Sequence, residues 1–216
     1  MKKISANLDK ETIQNLKAGD ELLISGEIYT ARDAAHKRFC ELIEAGEKLP
    51  IDLKDKIIFF AGPSPAKPQN PIGSIGPTTS GRMDAYSPIL IKNCGLAGMI
   101  GKGNRSGEVI EAMKECGAVY FAAIGGAAAL LAGAVVESEV VAYEDLGAEA
   151  VRKLLVKDFP VIVAIDSFGN SLYGHTPSGD NTPATPLQKG NLELRKCENS
   201  PFVKGWQAET PDGVCL

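Results

Sequence analysis

Between Gly73 and Ser106 the chain reads GSIGPTTSGRMDAYSPILIKNCGLAGMIGKGNRS, which sets Thr78, Thr79, Arg82, Lys102, Asn104 and Arg105 among glycines, with Asp84 as the sole acid and no histidine. Upstream, YTARDAAH adds Arg32. Backbone amides in glycine-rich turns and at helix N-termini bind anions, so cationic side chains beside them suit a ligand with more than one carboxylate or phosphate. The glycines fail as a phosphate loop. Gly95 precedes Gly101-Lys102 by one residue too many for GxxxxGK, and Gly103 follows the lysine where Ser or Thr belongs. They also fail as a dinucleotide fingerprint, because Gly101-x-Gly103 reaches its third glycine only at Gly107 and VYFAAIGG ends without an acidic ribose partner.

Alternating helix and strand signals must position these residues. DKETIQNL reads as a short helix and ELLISG as a strand. In YTARDAAHKRFCELIEAGEKLP, Thr30 can cap a helix and Asp33 takes the capping-box position. Ala35, Phe39 and Leu42 line one face, Gly46 with Pro50 closes the element, and Arg32 falls in the first turn. KIIFFAG is a buried strand and PSPAKPQNP a proline-rich loop. The apolar run GLAGMIG leads into KGNRSGEVIEAMKECGA, where Ser106 is a cap and Val109, Ile110 and Met113 recur at helical spacing. Lys102, Asn104 and Arg105 therefore lie just ahead of a helix N-terminus, which attracts anions. VYFAAI, VVESEVVAY and PVIVAIDSF read as further strands, separated by an alanine-rich turn or helix at GGAAALLAG and by a helix over GAEAVRKLLVK. The expected class is α/β with a mixed sheet flanked by helices. Residues 1–175 form the folded domain, and 176–216, opening on TPSGDNTPATP, form a polar C-terminal extension.

With 216 residues, 44% apolar and 23% charged, the chain can bury a sizeable core. A net charge of -4 gives no basic field for nucleic acid, and no apolar run is long enough to span a bilayer. MKKISANLDKETIQNL lacks the apolar centre of a signal peptide, so a cytoplasmic location is expected. Cys40, Cys94, Cys116, Cys197 and Cys215 are scattered and never form CxxC, which argues against a disulfide framework or a self-contained metal site. Most are expected to be buried small hydrophobes, and His36 is expected to be structural.

Taken together, TARDAAH, FFAGPSPAKP, GPTTSGRMD, IGKGNRS and VAIDSFGNSLY resemble the β subunit of the class I, iron–sulfur-dependent fumarases and the related L-tartrate dehydratases, over roughly Gly19 to Tyr173. What the resemblance implies is a swivelling β/β/α domain that forms one wall of an active site shared with a separate α subunit, or with an N-terminal region in single-chain relatives. In that family the α portion holds a [4Fe-4S] cluster through three cysteines and leaves one iron open to substrate. No such triad is visible here, so the cluster is expected on the partner and no metal ligand is expected in this chain. By position, Thr78 falls on the family's proposed catalytic base, and Arg32, Arg82 and Lys102 on substrate-carboxylate positions. Thr79, Asp84, Asn104 and Arg105 belong to the same motifs and are candidates to support them from behind.

The implied reaction is the reversible hydration of fumarate to L-malate, a step of the tricarboxylic acid cycle, by a hetero-oligomer with the α subunit; a homodimer of the isolated chain stays open. GRMD and KGNRS look more like the fumarase branch than the tartrate branch, although the same cations would grip L-tartrate or mesaconate. A non-enzymatic dicarboxylate-binding module and a purely structural subunit are the rivals. Physically, taking a proton from the carbon next to a carboxylate adds charge to that group, so cations aimed at it stabilise the transition state more than the ground state. Arginine does this with two parallel hydrogen bonds and lysine as a point charge. A threonine hydroxyl serves as a base only where neighbouring cations favour its alkoxide. The leaving hydroxide calls for a Lewis acid, which in the family is the open iron.

Overall fold

The computed structural model describes residues 1–123 and 128–174, so the extension expected over 176–216, with Cys197 and Cys215, lies outside the described residues. The elements run β1 (Lys2–Ser5), α1 (Lys10–Gln14), β2 (Glu21–Thr30), α2 (Asp33–Glu44), β3 (Ile57–Phe59), α3 (Ser87–Cys94), β4 (Gly98–Gly101), α4 (Gly107–Cys116), β5 (Val119–Ala122), α5 (Ala128–Gly133), β6 (Val135–Ala142) and β7 (Val151–Ile165). Short 3-10 segments cover Ser80–Met83 and Glu144–Glu149. The expected α/β class with a mixed sheet holds. Among the described residues no helix is long and apolar enough to cross a membrane.

Strands β1 to β5 are parallel neighbours in chain order, and β7 runs antiparallel to β5, β6 and β2. Because β7 reaches both β5 and β2, the pairings β2–β3–β4–β5–β7 close in a cycle. Its length makes this possible: Arg152 to Ile162 lie along β2, while Ile162 to Ile165 lie along β5. Successive side chains of a strand point to opposite faces. Ile57 and Phe59 accordingly join Leu22, Ile24, Phe121 and Phe159 in one apolar cluster. Ile58 and Phe60 join Phe39, Leu90, Val109 and Met113, from α2, α3 and α4, in another. The strands are thus apolar on both faces, and the site residues sit at their C-terminal ends, on the helical side.

Three expectations change. GAEAVRKLLVK is not a helix: Val151 opens β7, and the preceding residues form the 3-10 segment. Val151, Leu154 and Leu155 fit helical spacing, but pairing with β2 on one side and β6 on the other supplies backbone partners that override local propensity. Thr30 does not cap α2. It ends β2, and its hydroxyl accepts from the Arg152 amide at 3.2 Å. Arg32 instead takes the N-cap position in an extended conformation, ahead of the first turn, and Glu149 Oε2 accepts from the Ala34 amide at 3.2 Å. Finally, SPILIKNC, where the sequence pattern marks no element, forms α3; Pro88 opens it and Gly95, at φ 68°, ends it. The end of α2 is as expected, with Gly46 at φ 70° and the Glu47 amide bonded to the Leu42 carbonyl at 2.8 Å.

Candidate active site

Two turns run side by side at the ends of β3 and β4. Thr78 donates its amide to the Phe60 carbonyl at 2.7 Å, Lys102 donates to the Thr78 carbonyl at 3.3 Å, and Ser80 donates to the Lys102 carbonyl at 2.9 Å. This backbone bridge places Thr78, Thr79 and Lys102 next to one another. The approach is close enough to demand glycine: a Cβ on Gly101 would lie 1.9 Å from Ser80 Oγ. Beneath it, Tyr120 on β5 donates its hydroxyl to the Gly103 carbonyl at 2.8 Å, so the Ser80 hydroxyl, 2.9 Å away, donates to Tyr120. Ser80 and Tyr120 are fully buried, and burial pushes the Tyr120 phenol well above its ordinary value. The phenol therefore keeps its proton and ties the GRMD turn to the GKGN turn. Sequence reasoning passed over both residues; Ser80 sits inside GPTTSGR, but Tyr120 lies on a later strand with no local pattern to mark it.

Above this base, Arg82 Nη1 donates to Thr78 Oγ1 at 3.4 Å. Its Nε and Nη2 fork onto Asp33, at 2.9 Å to Oδ1 and 2.6 Å to Oδ2. Asp33 Oδ2 also lies 4.0 Å from Arg32 Nε, and Arg32 Nη2 lies 3.3 Å from Glu149 Oε1. Arg32 Nε is buried with no hydrogen-bond partner among the described residues. The Lys102 side chain is exposed and joins no ion pair among the described residues, and Thr79 is exposed. Arg32, Arg82 and the Thr78 hydroxyl thus share a corner beside the Lys102 backbone, and both arginines are already matched by acids.

Asp84 and Arg105 turn the other way. The Arg105 guanidinium is fully buried, donating from Nε to Asp84 Oδ1 at 2.7 Å, from Nη2 to Ser87 Oγ at 2.6 Å and from Nη1 to Met99 Sδ at 3.2 Å. It stacks 5.2 Å from the ring centres of both Phe60 and Tyr120. Burial pulls its pKa below the usual arginine value, and Asp84 opposes that pull. Asp84 Oδ2 accepts from the Ser106 amide at 2.7 Å, and Asn104 Oδ1 from the Arg105 amide at 2.8 Å. These three residues join α3, the 3-10 turn and α4 behind the corner. His36, fully buried, bonds the Arg32 carbonyl through Nδ1 at 2.9 Å, which requires that nitrogen to carry the proton. Burial lowers its pKa to about 4, so it is neutral and structural.

Among the described residues the three cysteines are all free. Cys40 is buried, its thiol pushed up to about 11 by burial; Cys94 is partly buried with its pKa also raised; Cys116 is exposed. Among the described residues no group of three or more His, Cys, Asp or Glu could hold a metal, so these residues do not fit an iron–sulfur cluster.

Comparison with known proteins adds a family. The family model described as Fumarase C-terminus matches residues 1–176. The anaerobic class I fumarate hydratase of Escherichia coli is 41% identical over 174 residues, which is 80% of this chain and 31% of that protein. A Methanocaldococcus jannaschii protein named "Putative L(+)-tartrate dehydratase subunit beta" is 44% identical over 171 residues, 77% of this chain and 88% of that one. Fumarate hydratase 2 of Leishmania major is 37% identical over 168 residues, 77% of this chain and 30% of that protein. The chain therefore spans less than a third of the fumarate hydratases and most of the tartrate dehydratase subunit.

Proposed function

Because the chain belongs to the fumarase C-terminus family, we propose that it is the β subunit of an iron–sulfur hydro-lyase that reversibly hydrates fumarate to L-malate. The observation that carries this reading is the Thr78 hydroxyl lying 3.4 Å from an Arg82 guanidinium nitrogen, in a corner that also holds Arg32 and Lys102. Arg82, Arg32 and Lys102 bind the two carboxylates. Thr78 Oγ1 takes the proton from the carbon beside one of them when malate is dehydrated and returns it in hydration. Charge that builds on that carboxylate in the transition state meets cations held in place beforehand, which is the arrangement that lowers a barrier. The Arg82 hydrogen bond to Thr78 favours the alkoxide over the neutral hydroxyl.

The relatives bear on the rest. A protein named subunit beta matches over most of its length, and fumarate hydratases match over about a third of theirs, which supports an active site completed by a second chain, the α subunit. The class I name of the E. coli relative supports an iron–sulfur enzyme, with the cluster assigned to that partner. Apolar clusters on both faces of the strands support a swivelling β/β/α domain within residues 1–175; the polar extension over 176–216 and a cytoplasmic location rest on the sequence alone. A second reading, the β subunit of an L-tartrate dehydratase, is favoured by the M. jannaschii relative.

The test is reconstitution. Purified alone without oxygen, with iron and sulfide, the chain is expected to stay colourless and inactive. Joined to a cluster-bearing α subunit, it is expected to turn over fumarate faster than L-tartrate or mesaconate. A brown, active preparation of this chain by itself would overturn the two-subunit reading, and preference for tartrate would select the second one.

A further inference from the structure

Asp33 is the first residue of α2, and its carboxylate takes both nitrogens along one side of Arg82, Nε at 2.9 Å and Nη2 at 2.6 Å. A guanidinium offers a carboxylate two bidentate edges, one through Nε and one through the two terminal nitrogens. With the first edge filled, Arg82 is left with its terminal edge, and Nη1 on that edge lies 3.4 Å from Thr78 Oγ1. The Arg82 side chain is half exposed, so without Asp33 it would sample several rotamers and present no fixed edge. An acid at the first position of a helix is itself favourably placed by the helix dipole. Its distance of 4.0 Å from Arg32 Nε makes the one carboxylate a common reference for both arginines.

We propose that Asp33 is a positioning residue that holds Arg82 side-on, so that the free edge of the guanidinium is aimed at Thr78 and at a substrate carboxylate beside it. This rests on the hydro-lyase reading for the substrate and on the geometry alone for the orientation. It has a second consequence. Arg32, Arg82 and Lys102 carry three positive charges and Asp33 and Glu149 two negative ones. The corner therefore holds less net charge than its cations suggest, and a diacid is bound in the ground state less tightly than three unpaired cations would bind it. Removing the Asp33 charge strengthens ground-state binding while it disorients Arg82, so KM and kcat should fall together, a pattern that simple loss of folded enzyme does not produce.

Two measurements test it. In the full chain, the Arg82 Nε–H proton, assigned by comparison with Arg82→Lys, is expected to give a slowly exchanging NMR signal that joins the fast-exchanging pool in Asp33→Asn. An unchanged signal in Asp33→Asn overturns the proposal whatever the activity. In the chain assembled with its cluster-bearing partner, Asp33→Asn is expected to lower kcat for fumarate by about thirtyfold and KM by about threefold at low salt, with kcat partly restored in Asp33→Glu. A kcat within about threefold of wild type, a KM that is unchanged or raised, or Asp33→Glu as damaging as Asp33→Asn overturns it. If the NMR change appears but the wild-type assembly does not turn over fumarate, the hydro-lyase reading fails and the orientation of Arg82 by Asp33 is upheld.

Discussion

Arg105 and Asp84 form an ion pair at 2.7 Å whose guanidinium is entirely out of solvent, between the rings of Phe60 and Tyr120. The second Asp84 oxygen holds the Ser106 amide, so one carboxylate anchors both a buried cation and the start of α4. Breaking a buried pair by removing one partner leaves an uncompensated charge. Asp84→Asn is expected to destabilise the fold by about 3–5 kcal/mol in urea unfolding. Replacing both partners, as Asp84→Leu with Arg105→Met, is expected to cost less than Asp84→Asn alone.

His36 makes stability depend on pH. Its folded-state pKa, lowered to about 4 by burial, lies below the ordinary 6.5, so the unfolded chain accepts a proton that the folded chain refuses. Stability is then full above pH 6.5 and is lost as pH falls through the window down to about 4. The slope reaches about 1.4 kcal/mol per pH unit. His36→Asn keeps a donor for the Arg32 carbonyl but does not titrate, and denaturant melts at about pH 7.5 and 5.5 should differ less for it than for wild type. Equal slopes would remove His36 as the source.

The two turns of the site touch at Gly101, where a methyl group would meet Ser80 Oγ at 1.9 Å and Phe60 Cδ2 at 3.0 Å. Gly101→Ala must displace Ser80 and with it the Ser80–Tyr120–Gly103 chain of hydrogen bonds. A loss of about 1–3 kcal/mol is expected by thermal or urea unfolding. Ser80→Ala removes the offending oxygen, so the double variant should be more stable than the sum of the two single losses predicts. Strict additivity would mean the turns separate in another way.

Much of this framework could be read locally. Ser106 caps α4, its Oγ accepting from the Val109 amide, and the buried runs at β3, β4 and β5 stand out as apolar segments. What was missed is non-local. VRKLLVK carries a helical spacing of apolar residues, and only its two flanking strands decide the matter. Glu149 caps α2 from 115 residues beyond Ala34, a distance no capping pattern covers. The site divides the same way: Thr78, Arg82 and Lys102 come together through their own motifs, whereas Tyr120 ties Ser80 to Gly103 beneath them from β5, and Asp33, read as a helix-capping acid, turns out to grip Arg82.

Arg82→Lys keeps the positive charge and gives up the fork onto Asp33 together with the hydrogen bond to Thr78. In the assembled enzyme it is expected to cost about 2–4 kcal/mol of transition-state stabilisation, read as kcat/KM for fumarate. The fold should be unaffected, because the side chain is half exposed. Activity within about threefold of wild type would count against Arg82 as a carboxylate anchor.

Thr78 separates a proton-transfer role from a packing role. Its backbone is fixed on both sides, by the Phe60 carbonyl and the Lys102 amide, so a change of side chain leaves the turn in place. Thr78→Val keeps the shape and removes the hydroxyl; Thr78→Ser keeps the hydroxyl and removes a methyl group. If Oγ1 carries the proton with Arg82 Nη1 beside it, Thr78→Val should lower kcat by about 10²–10⁴ while Thr78→Ser keeps a measurable fraction. Solvent-exchange of the malate C–H proton, followed by deuterium incorporation, should fall in parallel with kcat in the valine variant. Equal damage from valine and serine, or loss of turnover with exchange intact, would mean that Thr78 supports the site by packing and that the base lies elsewhere.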